Sequence, residues 1–110
     1  MNKYQKGKQL EIYVAEVLQE IFQETPPIRS SKASSGGERN TEISDITSSN
    51  LYCECKNNGK WFSLKVWQKL LNSLPFGTSK IPMYVIEHEI EGKLIVLSLA
   101  DFCKLLKEKR

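Results

Sequence analysis

The stretch Leu51-Tyr52-Cys53-Glu54-Cys55-Lys56 sets an acid and a base two residues apart within an apolar-leaning run, and no other feature limits the fold more. In an extended strand alternate side chains share a face, so Tyr52, Glu54 and Lys56 are expected to point one way and Leu51, Cys53 and Cys55 the other. One face should then be core and the other chemistry. Asp45 lies nine residues before Glu54, within Glu42-Ile43-Ser44-Asp45-Ile46, and the polar run Thr47 to Asn50 suits a turn between the two segments. A hairpin closed there would bring Asp45 beside Glu54.

Two carboxylates meeting at a strand end, with a lysine one alternation further on, are what a magnesium-dependent phosphodiesterase needs. The hard cation takes oxygen ligands and stabilises charge on a phosphate, while the ammonium positions or helps to deprotonate the attacking water. For an isolated E-x-K the commoner outcome is an exposed strand face with a surface ion pair, because charge alternates on many strands. The rest of the chain changes that balance.

At 110 residues the chain is expected to be one domain, spanning 1–110, with a single modest core. Nothing in it approaches the run of roughly eighteen apolar residues that spans a membrane. The opening Met-Asn-Lys-Tyr-Gln-Lys-Gly-Lys leads into an amphipathic segment, not a signal-peptide core, so a cytoplasmic protein without a membrane partner is expected. The net charge of +3 says little, but its distribution says more. Between residues 29 and 80 lie eight basic residues (Arg29, Lys32, Arg39, Lys56, Lys60, Lys65, Lys69, Lys80) and four acidic ones (Glu38, Glu42, Asp45, Glu54). Basic surface around the candidate site favours nucleic acid over an acidic protein or a small neutral substrate. Cys53, Cys55 and Cys103 make an odd number of cysteines, which suits reduced thiols. A zinc site from these three and His88 is disfavoured, since C-x-C on a strand is unlike a zinc knuckle. His88 reads as a strand-edge residue.

Leu10, Val14, Val17, Leu18, Ile21 and Phe22 recur at helical spacing from about Lys3 to Gln23, a helix expected to end at Thr25-Pro26-Pro27. Glu11 borders its apolar stripe and either faces the cleft of Asp45 or is solvated. Ile28 to Asn40, rich in Gly, Ser and basic residues, reads as a mobile loop, either a phosphate-contacting segment or a plain linker. After the turn Asn57-Asn58-Gly59, a second helix is expected from Trp61 to Leu74, with Ser63 as its cap and Lys65 and Lys69 on one exposed stripe. Trp61 and Trp67 are expected in the core or at a dimer contact, not as base-stacking platforms. Met83 to Ile90 and Lys93 to Ser98 read as strands joined at Glu91-Gly92, and a last helix begins at Ser98 or Asp101.

This order of elements, with Glu11 on the first helix, Asp45 on the first strand and Glu54-x-Lys56 on the second, resembles the PD-(D/E)XK nuclease superfamily. Within it, the chain looks like the small archaeal-type Holliday junction resolvases and related short phage-borne nucleases. The resemblance covers nearly the whole chain, through Lys6-Gly7-Lys8 to Glu11, Arg29-Ser30-Ser31, Ser35-Gly36-Gly37, Ser44-Asp45-Ile46, Cys53-Glu54-Cys55-Lys56 and Leu97 to Phe102. It implies an α/β fold with a restriction-endonuclease-like three-layer core, a mixed central sheet of about four to five strands flanked by helices. Asp45, Glu54 and the backbone carbonyl of Cys55 would hold Mg2+, with Mn2+ as a substitute. Lys56 would position the water, and Glu11 would match the first-helix acid. The resemblance matches Ser30 or Ser31 to the resolvase loop serine, while residue chemistry alone nominates Arg29, Ser30, Ser31, Lys32 and Arg39 of the loop, and Lys65 and Lys69 if their stripe is more than a solvated face, as DNA contacts. One departure is Ser44, which stands where the motif usually has proline. The implied protein is a homodimeric endodeoxyribonuclease on branched DNA. A restriction- or repair-type nuclease on linear or single-stranded DNA, and a catalytically silent DNA-binding module, are the alternatives.

Overall fold

The structure, a computed structural model of the chain, describes residues 3–31, 44–57 and 61–109. Leu10, Val14, Ala15 and Leu18 form the buried stripe of helix α1 (Lys3–Phe22). Burying each of the larger aliphatic side chains contributes roughly 2 kcal/mol. The helix stops before the prolines, because Gln23 turns left-handed at φ 50° while its N–H still donates to the Gln19 carbonyl at 2.8 Å. The Gln19 side chain then staples the following turn. Its Oε1 accepts from Glu24 N and Ile28 N at 3.2 and 2.9 Å, and its Nε2 donates to the Glu24 carbonyl.

Two short strands follow, β1 (Arg29–Ser30) and β2 (Ile46–Thr47), paired antiparallel with Ser30 opposite Ile46. The beginning of the expected loop is therefore strand. Lys32 and Arg39 lie outside the described residues, as does the Glu42–Ile43 start of the expected first strand. Strand β3 (Leu51–Lys56) pairs parallel with β4 (Ile81–His88), and β4 pairs antiparallel with β5 (Gly92–Val96). Gly92, at φ 81°, makes the turn into β5. Among the described residues the sheet thus has three strands, with the β1–β2 ribbon separate, in place of one sheet of four to five. The join between β2 and β3 fails at Asp45. Its N–H donates to the Cys53 carbonyl at 2.9 Å, but its own carbonyl accepts from Ser31 N at 3.0 Å instead of completing the ladder.

Helix α2 (Leu64–Ser73) starts three residues later than its apolar spacing suggests, where Ser63 Oγ accepts from Val66 N and satisfies a donor of the first turn. Helix α3 (Leu99–Lys109) follows Ser98, whose Oγ accepts from Asp101 N at 3.1 Å. One face of the sheet packs Leu51, Cys53, Ile81, Met83 and Val85 against α1 and Leu105 of α3. The other packs Tyr52, Tyr84 and Ile86 against Leu70 of α2. Helices on both faces make three layers.

The division of β3 into a core face and a chemistry face needs correcting. Tyr52, only 1% exposed, lies under α2, and its hydroxyl donates to the Ser73 carbonyl at 3.1 Å. That face is core at Tyr52 and opens only at Glu54 and Lys56. Among the described residues, no helix is long and apolar enough to cross a membrane.

Candidate active site

Glu54 and Lys56 lie at the carboxyl end of β3, where the parallel pairing with β4 leaves strand ends accessible, as ligand sites in α/β sheets commonly do. Lys56 Nζ stands 3.3 Å from Glu54 Oε1. Asp45 reaches the same strand from its free edge, its Oδ2 accepting the Cys55 N–H at 2.9 Å. In a strand the N–H and C=O of one residue point to the same edge. The Cys55 carbonyl is therefore turned toward Asp45.

Glu11 approaches from the opposite face. It is 2% exposed on α1, beside Leu10 in the stripe that packs on Cys53. The Cys55 thiol is pushed well above its ordinary range by a hydrogen bond with Cys53, by burial and by Cys53's charge, and then by the charges of Asp45 and Glu11. Both carboxylates therefore lie near Cys55. Glu11 is thus not the solvated helix glutamate that its spacing also allowed, and its burial is a tertiary effect. Glu54 is likewise raised, first by burial and next by the charge of Asp45, with Lys56 opposing. Two like charges this close disfavour one another, and a cation between them would relieve the strain.

The other predicted residues fall in different places. Ser31 is buried, its Oγ donating to the Ser44 carbonyl at 3.1 Å and standing 2.9 Å from Thr47 Oγ1, so it ties β1 to the Asp45 segment. Ser30 is also buried, and its Oγ meets no hydrogen-bond partner among the described residues. Arg29 is exposed on β1, and Lys65 and Lys69 are exposed on α2. His88 ends β4 with Nδ1 accepting from Ile90 N and Glu91 N, a structural use of the ring. Cys53, Cys55 and Cys103 are free thiols, the first in the core and the last on the surface.

Glu24 is a residue that sequence spacing does not single out. It is buried, and its two oxygens accept from three donors, the Ser48 hydroxyl, whose single proton is shared between them, Ser49 N and Asn50 Nδ2. This carboxylate holds the turn between Asp45 and Glu54. A glutamate just before Thr-Pro-Pro, ahead of a Ser-Ser-Asn turn, is the only sequence hint. Trp61, expected in the core or at a dimer contact, lies outside the core, its ring 4.3 Å from that of His88.

Among the described residues no group of three or more His, Cys, Asp and Glu side chains forms a metal cage. What the structure does bring together is a pair of carboxylates, Asp45 and Glu54, beside the Cys55 backbone. Carboxylate oxygens are donors of the kind a hard cation such as magnesium takes, one or two at a time with several waters kept. Compared with protein-family models, with curated proteins and with solved structures, the chain matches none.

Proposed function

We propose that the protein is a magnesium-dependent DNA endonuclease of the PD-(D/E)XK type, acting as a homodimer on branched DNA inside the cell. The observation that carries this reading is the Asp45 carboxylate on the Cys55 N–H at 2.9 Å, close enough to Glu54 to raise its carboxyl, with Lys56 Nζ 3.3 Å from Glu54 Oε1. Glu11, buried on α1, acts through its charge on the Cys55 thiol from the other face of the sheet.

Asp45, Glu54 and the Cys55 carbonyl would hold the ion, which when bound supplies a positive charge on the phosphate and a more acidic water. Hydrolysis forms a bond from water oxygen to phosphorus and breaks the bond to one deoxyribose oxygen, which leaves with a proton. The Lys56 ammonium, tethered by Glu54, orients the attacking water and offsets charge gathering on the phosphate oxygens. Ser31 and Glu24 act at a distance by fixing the segments that carry Asp45. Arg29, Lys65 and Lys69 offer exposed positive charge for the backbone of DNA. Leu99, Phe102 and Leu106, exposed along one side of α3, are an apolar line of the kind a second copy covers.

The test is cleavage of a four-way junction, a flap and a linear duplex of matched sequence, with and without magnesium. Magnesium-dependent cutting of the junction in preference to the duplex is expected. Binding without cutting under any metal condition would leave a DNA-binding module in place of the enzyme.

A further inference from the structure

Beside the carboxylates the chain presents two aromatic rings that the core does not use. Trp61 is 58% exposed and Phe62 43% exposed, yet each is supported from below. The Trp61 ring lies on His88 at 4.3 Å between centroids, and Phe62 lies on Tyr84 at 5.9 Å. His88 is itself fixed, because its Nδ1 accepts two backbone N–H groups of the turn after β4. Rings held this way have little conformational freedom left to lose when something stacks on them.

Their position ties them to the site. Tyr84 is the register partner of Glu54 and Ile86 that of Lys56, so side chains at 54, 56, 84, 86 and 88 share one face of the sheet. Phe62 therefore sits over the Glu54 level and Trp61 just past the Lys56 level. The helix that follows them, Leu64–Ser73, contains Lys65 and Lys69 and no acidic residue. Two exposed rings just ahead of a helix whose charged residues are Lys65 and Lys69 are complementary to a strand that pairs exposed bases with a negatively charged backbone.

We infer that Trp61 and Phe62 form a stacking platform for unpaired bases of a DNA strand next to the phosphate held at Glu54 and Lys56. The platform rests on the nuclease reading of that site and deepens it. DNA with unpaired nucleotides at the cut, a flap or an opened junction, is favoured over continuous duplex, in which the base faces are already stacked.

The experiment uses the full chain in EDTA, so that binding is read without cutting, with a blunt duplex and the same duplex carrying a single-stranded thymidine tail. Wild type should bind the tailed DNA tighter, and Trp61→Ala with Phe62→Ala should weaken that binding by about tenfold or more while leaving duplex affinity unchanged. Trp61→Tyr should restore most of it. As a second readout, tryptophan fluorescence should be quenched by a thymidine oligonucleotide in wild type and much less in Trp61→Phe, a mild change at an exposed ring. Equal tail affinity in wild type and the double variant, or equal quenching in Trp61→Phe, overturns the platform. So does a double variant that turns a dimer into a monomer in sedimentation with its tail affinity intact, which would assign the rings to a second copy. Cleavage with magnesium separates the two proposals. Quenching without cleavage keeps the platform and removes the enzyme, and cleavage without stacking does the reverse.

Discussion

Asp45 Oδ2 accepts the Cys55 N–H at 2.9 Å, so a side-chain carboxylate takes the place in the strand ladder that a main-chain carbonyl would otherwise fill. The same bond holds a negative charge beside Glu54. Asp45→Asn keeps an oxygen for this N–H and removes the charge. It should abolish cleavage while the unfolding midpoint in urea stays close to wild type. Asp45→Ala also leaves the donor unmet, costing about 1–3 kcal/mol in the same titration. Undiminished turnover in the asparagine variant would remove Asp45 from the site.

Burial and the charge of Asp45 raise the Glu54 carboxyl above its usual 4.5, with Lys56 pulling the other way. The folded state therefore binds more protons than the unfolded chain between 4.5 and the raised folded value. The contribution of Glu54 to the stability of the metal-free protein should be fully present below that window and be lost as pH rises through it. Glu54→Gln should remove this part of the slope and abolish cleavage. Parallel stability profiles for the two proteins in EDTA would contradict the shift.

Lys56→Ala removes the ammonium held 3.3 Å from Glu54. Turnover should fall by about a hundredfold or more. Because the lysine is partly exposed, stability should change by less than about 1 kcal/mol. Titration calorimetry is expected to show magnesium binding retained, and loss of binding together with activity would make Lys56 a structural residue.

Glu24→Ala strips acceptors from Ser48, Ser49 and Asn50 at once. Leaving those donors unmet should destabilise the protein by about 2–3 kcal/mol in urea unfolding. Turnover of the folded fraction should fall as well, since the turn sets Asp45 against β3. An unchanged midpoint would show that water replaces the carboxylate.

Neutralising Lys65 and Lys69 together should weaken binding to every DNA sequence. It should also flatten the salt dependence by about 0.9 log unit for each DNA phosphate that a lysine no longer neutralises. Neutralising Arg29, Lys32 and Arg39 tests the 28–40 segment in the same way. Whichever variant keeps the wild-type salt slope has removed charges that do not meet the DNA backbone.

Sequence by itself determined what depends on near neighbours. Helical spacing placed α1 and most of α2, Ser63 marked the cap of α2, the start of α3 was left between Ser98 and Asp101, Glu91-Gly92 marked the turn into β5, and the charged residues appeared in order along the chain. A local pattern also set Glu54 and Lys56 on one face, because strand alternation needs no partner. Tertiary structure decided which strands pair. The β3–β4 parallel register joins residues about thirty positions apart, and the diversion of the Asp45 carbonyl to Ser31 splits off the β1–β2 ribbon. It also decided burial: Glu11 beneath Cys55, Tyr52 under α2, Ser31 enclosed, and Trp61 outside. A residue's exposure and charge environment are sums over everything packed against it, and most of those neighbours are far away in the chain. Spacing can nominate such residues, but only the packed sheet sets the Asp45 carboxylate on the Cys55 N–H beside Glu54 and buries Glu11.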